Sequence, residues 1–376
     1  MNELRIAENI VKYRKAKNIT QDELAEFLGV TKASVSKWEN KQSLPDILLL
    51  PRIAVYFNKT VDELMGYEPQ LSKEQIQKLY GDFGKRFASE PFETVFADSK
   101  TYVKNYYFCY PFLVQICVLW VNHYMLPAES KRQKEILYET EKLCEHILEN
   151  CKNHGICNDI LVIRALVQLQ LGKYEEVLES MEDVLNPIRL TSQSDGLLIQ
   201  TYLLKGEMEK ADEFAQINMY NHLLQLISDA VLFLNIHLQE PDICKETIRR
   251  IDKVVEAYKV KELHKNVMAN YVYQAAICYC SYGELEEAVK RLQIYAECVA
   301  SVISTESMLH ADDYFRKLDL WFERIDLGTQ LVRDKQVILE SAKQTLLNPV
   351  FEPLRNEKGF KRVKAVLENI KGESMS

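Results

Sequence analysis

Glycine and proline are scarce in this chain, 12 and 10 residues of 376. No stretch alternates apolar and polar residues over strand length. Together these shortages exclude a strand-and-turn architecture and leave helices. Cysteine is present, nine residues at irregular spacing, but no CxxC pair occurs. With no amino-terminal signal peptide either, a reducing, cytoplasmic setting is expected. Enzyme signatures are missing: there is no phosphate loop, no nucleophile elbow and no HExxH, so neither catalysis nor a cofactor is expected. Ser34-Val35-Ser36-Lys37 matches an SxxK string but has no supporting motif. Positive charge is in deficit as well. The net charge of -8 and pI near 5.6 argue against a generic polyanion binder. Asn105 to Ala128 carries no charge, yet Pro111, Gln115, Asn122 and His123 interrupt it, so a buried helix is expected there and no membrane span. Cys144, His146, Cys151, His154 and Cys157 fall within fourteen residues. Cys144 and Cys151 lie seven apart on what reads as one helix, a separation that rarely converges on a tetrahedral ion, so no metal is expected.

The informative stretch runs from Thr20 to Asn40. Thr20 can cap a helix, with Glu23 three residues on completing a capping box. Leu24, Ala25 and Leu28 mark one apolar face at helical spacing. Gly29 stands where the chain must turn sharply with positive φ. Thr31 caps the next helix, whose inward residues are Val35 and Trp38. Lys32, Ala33, Ser34, Ser36 and Lys37 then face outward. A short helix enters a major groove only when its exposed residues are small or make contacts there. Lysines supply phosphate or guanine contacts, and serine hydroxyls serve base or backbone. A first helix is expected over Ile6 to Arg14, a fourth opening near Pro45-Asp46, and a fifth holding Val61, Leu64 and Met65 and stopping at Gly66.

Residues 4–66 resemble the XRE family, the lambda and 434 repressor/Cro-like DNA-binding domains. The resemblance runs without gaps through Arg14, Gln21, Leu24-Ala25, Gly29-Val30, Val35-Ser36-Lys37-Trp38-Glu39-Asn40 and Ile53-Ala54. It implies that Gln21 contacts backbone at the start of helix 2 and that Lys32, Ala33 and Lys37 face the bases. It also implies a phosphate contact from Asn40, with Lys41 placed to help, and an Arg14–Glu39 ion pair close to the DNA. Ala33 replaces a longer polar side chain, so one base contact is expected to be apolar. Residues 1–66 hold ten Lys and Arg against nine Asp and Glu, leaving 37 against 46 beyond them. A head of charge +1 binds weakly by itself. Two heads acting together on a two-fold symmetric duplex operator are therefore expected, as a homodimer.

Residues 67–91 read as a connector containing a helix from Ser72 through Phe87. Residues 92–376 read as a helical body with internal repeats. Leu171-Gly172-Lys173-Tyr174-Glu175-Glu176-Val177 recurs around Gly206 and again around Gly283. The first two glycines lie 34 residues apart, the period of tetratricopeptide repeats. The fold class expected is all-α: a five-helix lambda-repressor-like helix-turn-helix domain followed by a tetratricopeptide-like α-solenoid. Repeat register places Gln193, Gln200, Asn270 and Tyr273 in a concave groove, with Asn221 and Asn235 on the intervening helix. Amide side chains both donate to and accept from a peptide backbone, which suits capture of an extended peptide. The two-part layout resembles the peptide-responsive, quorum-sensing regulators of Gram-positive bacteria, the Rgg and PlcR type. That resemblance implies a short signalling peptide as effector. The alternative expectation is a DNA-tethered scaffold whose repeats dock a protein partner.

Overall fold

A computed structural model describes residues 5–67, 70–181, 194–304, 309–325, 327 and 331–370. Among these the regular elements are helices, with one isolated antiparallel bridge between His264 and Leu309. The chain is all-α, an N-terminal helix-turn-helix domain followed by a helical body. Its residues divide into two compact units, Met1–Ser72 with Asp98–Val114, and Lys73–Ala97 with Gln115–Ser376.

The head contains α1 (Ile6–Ala16), α2 (Gln21–Leu28), α3 (Lys32–Glu39), α4 (Leu50–Phe57) and α5 (Val61–Met65). Local chemistry sets the boundaries of α2. The Thr20 hydroxyl accepts from Glu23 N, and the Glu23 carboxylate accepts from Thr20 N at 2.6 Å. Such a cap contributes about 1 kcal/mol. Gly29 ends the helix at φ +70, and Val30 N donates back to Ala25 O at 3.0 Å. Thr60 and Glu63 repeat the capping box on α5. Ile10, Leu24, Leu28, Val35, Ile53 and Leu64 fill the core, closed on one side by Trp38.

The fourth helix begins at Leu50, five residues after the Pro45 start expected from sequence. The Asp46 side chain takes the N–H of Leu48 at 2.8 Å, and its carbonyl takes that of Leu49 at 2.9 Å. A short polar side chain that binds its own backbone favours a turn over a helix, which delays the start. Pro51 then lies in the first turn, where its missing N–H costs little.

Next comes α6 (Lys73–Ser89), which buries Ile76, Tyr80, Phe83 and Phe87. It is tied to late parts of its own unit: Lys73 Nζ donates to Glu323 O at 2.8 Å and the Tyr80 hydroxyl to Val332 O at 2.9 Å. α7 (Phe92–Asn105) and α8 (Tyr110–His123) follow. The uncharged run supplies α8, whose Leu113, Ile116, Cys117, Leu119 and Trp120 are buried. Among the described residues no helix is long and apolar enough to cross a membrane.

After α9 (Ser130–Asn150), the three glycine motifs become one turn used three times. Gly172 joins α10 (His154–Leu171) to α11 (Tyr174–Met181), and Gly206 joins α12 (Ser194–Leu204) to α13 (Met208–Ile236). Gly283 joins α16 (Lys265–Ser281) to α17 (Leu285–Ser304). Their φ values are +76, +74 and +75. In each turn the N–H after the glycine reaches the carbonyl five residues back at 2.9 Å: Lys173 to Gln168, Glu207 to Tyr202, Glu284 to Tyr279. That is the bond pattern of a left-handed helix C-cap. The small residues Ala165, Ala211, Ala276 and Ala288 are buried beside these turns.

Between the second and third turns run α14 (Pro241–Ala257) and the single turn α15 (Val260–Leu263). A polar knot holds α14, α16 and α17 together. Both Asp252 carboxylate oxygens accept from Arg291 at 2.6 Å, and the Tyr271 hydroxyl lies 2.7 Å from one of them. The end of the chain adds α18 (Leu318–Arg324), α19 (Lys335–Thr345), a 3-10 segment over Pro349–Leu354 and α20 (Lys358–Asn369). α20 packs on α17 closely enough that a Cβ on Gly359 would meet Val289 Cγ1 at 2.5 Å.

Two glycine substitutions probe this packing with opposite expected signs. Gly359→Ala forces a backbone or side-chain shift and should destabilise by about 1–3 kcal/mol. Gly84→Ala, mid-helix with nothing within 4 Å of the added carbon, should stabilise by about 0.5–1 kcal/mol. Thermal unfolding of the two variants beside the native chain measures both.

Candidate nucleic-acid interface

The exposed face of α3 is built from its cap outward. The Thr31 hydroxyl accepts from Ser34 N and lies 2.9 Å from Ser34 Oγ, which fixes the start of the helix. Val35 and Trp38 point into the head core, so at 3.6 residues per turn Lys32, Ala33 and Lys37 are left exposed, with Ser34 and Ser36 half-exposed. At the other end Asn40 donates its amide back to Ser36 O at 2.9 Å. Lys41 follows at φ +59, a left-handed conformation that glycine adopts freely and lysine does not.

Behind this face lies a three-residue network. Arg14 grips Glu39 with two hydrogen bonds, Nε to Oε1 at 2.6 Å and Nη2 to Oε2 at 2.8 Å, and its third donor reaches Ile19 O at 3.0 Å. Gln21 adds its amide to Glu39 Oε2 at 2.7 Å. The pair is well shielded, with side-chain exposures of 14% and 6%. Burial pushes the Glu39 carboxyl up, but the bonds from Arg14 and Gln21 and the guanidinium charge outweigh it and hold the group below its ordinary value. α1, α2 and the end of α3 are thereby joined through one carboxylate.

The face carries lysines in two conditions. Lys32 Nζ lies 2.7 Å from Asp22 Oδ2, and Lys41 is paired with Glu8. Among the described residues Lys37 has no ion-pair partner. Asp22 is ten residues and Glu8 thirty-three residues from its lysine, and no local pattern marks either pair.

The residues expected in a ligand groove are more scattered. Gln193 lies outside the described residues. Gln200 on α12, Asn221 and Asn235 on α13 and Asn270 on α16 are exposed. Tyr273 is half-buried, its hydroxyl donating to Thr345 O at 3.3 Å and accepting from Asn348 Nδ2 at 3.1 Å. Its ring packs against Tyr295 and Phe351. Among the described residues no hydrogen bond joins any two of these groups. A cavity of about 400 Å³ in the same unit is lined by Lys261, Lys265, Glu297, Cys298 and Asp312 among others, and by none of the expected groove residues. Of the cysteine–histidine cluster, Cys144 and Cys151 are buried, and among the described residues no three such groups gather to hold a metal ion.

Compared with known families, residues 10–64 match the one described as helix-turn-helix, HTH_3. Over 83 residues the chain is 35% identical to the cryptic phage CTXphi transcriptional repressor RstR of Vibrio cholerae serotype O1, a stretch that is 20% of this chain and 74% of the repressor. The chain belongs to the helix-turn-helix family. It is also 33% identical over 79 residues to the HTH-type transcriptional activator BcrR of Enterococcus faecalis, 19% of this chain and 39% of that protein. The chain thus spans well under half the length of the activator. No solved structure matches it. Its head is a DNA-binding helix-turn-helix domain of transcriptional-regulator type.

Glu39→Gln removes one side of a shielded pair and should cost the helix-turn-helix head up to about 3 kcal/mol. The carboxyl's folded value is depressed, so the pair's contribution is complete above the ordinary carboxylate range and is lost as pH falls through the folded value. Head stability should therefore drop on acidification in the native chain more steeply than in Glu39→Gln. Unfolding followed by Trp38 fluorescence across pH 3 to 7, with Trp120 and Trp321 replaced by Phe in both proteins, checks this.

Proposed function

We propose that this chain is a homodimeric, sequence-specific transcriptional regulator that reads duplex DNA with α3 and whose body takes a ligand that modulates binding. The observation that carries the reading is the outward face of α3, small and cationic throughout, held by a shielded network at its back. Lys32, Ala33 and Lys37 are the base-facing residues, with the Thr31, Ser34 and Ser36 hydroxyls serving base or backbone. Gln21, Asn40 and Lys41 take phosphates. Lys41 follows Asn40 at the end of α3, its ammonium paired with Glu8. One relative is named an activator and the other a repressor, so the head is compatible with either sense of control.

Three helical hairpins on one glycine turn, two of them 34 residues apart in sequence, support a tetratricopeptide-like body. Exposed Gln200, Asn221, Asn235 and Asn270 support capture of a short peptide. Tyr273, already bonded to the chain's last segments, is better read as a clamp on that end than as a ligand contact. A second reading, a DNA-tethered scaffold docking a folded protein, is favoured by exposed apolar residues on α12 and α13. Leu204 is 90% exposed, Ile236 75% and Leu232 62%. Operator binding with and without secreted peptides separates the two: an effect of peptide supports the first, and none with any peptide supports the second.

Lys37→Ala should relax base preference at one position, costing about 1–3 kcal/mol on the preferred duplex. Asn40→Ala should weaken preferred and random duplexes alike. Lys41→Gly separates binding from folding: stability should hold within about 1 kcal/mol because the left-handed strain is relieved, while affinity falls on all sequences. Equilibrium binding at two salt concentrations, beside thermal unfolding, reads all three.

A further inference from the structure

The shielded Arg14–Glu39 pair and the exposed Lys32–Asp22 pair differ in kind. Lys32 and Asp22 are 60% and 62% exposed, in full contact with water. A pair in that setting is worth little and exchanges readily. Yet it has a consequence for anything that approaches α3. Asp22 is the second residue of α2, next to Gln21, and Lys32 is the first of α3. The carboxylate therefore sits beside the face that meets the duplex and cancels Lys32 at range. Lys41 is cancelled in the same way by Glu8, whose carboxyl it holds below the ordinary value. Against a distant polyanion the face then presents the charge of Lys37 and little else.

We propose that Asp22 is a specificity-determining residue: it neutralises Lys32 against duplex of arbitrary sequence and releases it only when α3 is seated. This rests on the DNA-binding reading above. In a loosely held, non-specific complex attraction is long-range, the pair stays closed, and Lys32 contributes nothing. In the seated complex Lys32 Nζ exchanges the Asp22 oxygen for a guanine edge or a phosphate at contact distance. On arbitrary duplex the closed pair withholds Lys32, so removing the carboxylate adds a phosphate contact there; in the seated complex Lys32 already makes its contact, so the same change adds less. Asp22 acts through Lys32, as a positioning residue whose removal trades selectivity for affinity.

The test uses the full chain and two probes, a mixed-sequence duplex and a duplex enriched from a random pool by the native protein. Asp22→Asn should tighten mixed-sequence binding by about two- to five-fold, the range open to an exposed pair. Its salt dependence should steepen by up to ~0.9 in log–log slope, one more phosphate neutralised. The enriched duplex should gain less, so the specificity ratio falls. Asp22→Glu should behave like the native chain. In a Lys32→Met background the gain from Asp22→Asn should shrink to the repulsion of a lone carboxylate, the coupling a double-mutant cycle requires of a pair that acts together. Asp62→Asn makes the same charge change on α5, which packs against α1 and α4, and should not reproduce the loss of selectivity. No gain with Asp22→Asn, an undiminished gain in the Lys32→Met background, or an equal loss of selectivity with Asp62→Asn overturns the assignment. A native chain that binds neither duplex overturns the DNA-binding reading with it. Native binding that Lys37→Ala weakens, with Asp22→Asn silent, overturns the Asp22 role alone.

Discussion

The shared carboxylate of Glu39 is the constraint on which the head depends. It terminates α3, accepts two hydrogen bonds from Arg14 on α1 and a third from Gln21 at the start of α2. A shielded ion pair of this sort is a poor source of net stability, because desolvating two charges offsets most of their attraction. Its effect is geometric. Few side-chain positions leave all those donors satisfied, so the angle between α2 and α3 is narrowly set. The exposed residues of α3 inherit that precision. Valine and tryptophan packing beneath the helix fixes which residues face out, and the Glu39 network fixes where they point.

Charge is distributed to match a reader more than a clamp. The head is nearly neutral, the rest of the chain acidic, and Lys32 and Lys41 at either end of α3 are matched by carboxylates. Little long-range attraction remains, so on the proposed reading affinity comes from direct contacts, and the few free cations give it a shallow salt dependence. That arrangement suits discrimination among many competing sites, where the ratio of specific to non-specific binding matters more than either constant.

What the sequence reveals follows the range of the interactions. Caps and glycine turns are local, so Thr20 with Glu23, Gly29, Thr31 and the three hairpin glycines could be read directly, as could the outward placement of Lys32, Ala33 and Lys37. The start of α4 departs from the same local logic, because Asp46 bonds its own backbone and Pro45 does not open a helix there. The pairs Lys32–Asp22 and Lys41–Glu8 depend on how helices pack and leave no periodic trace. The left-handed conformation of Lys41 is equally silent in the sequence. Tyr273 illustrates the limit in the body. Repeat register pointed it toward a groove, but the partners of its hydroxyl lie more than seventy residues further on. A segment that returns across that distance cannot be inferred from spacing.

The most direct test of the account is a hydroxyl-radical footprint of the full chain on the duplex it enriches from a random pool. The account predicts a two-fold symmetric motif with two protected patches on one face of the duplex, centred about 34 Å apart, one helical turn. A pool that yields no motif, or protection spread evenly along the duplex at modest ionic strength, would contradict it.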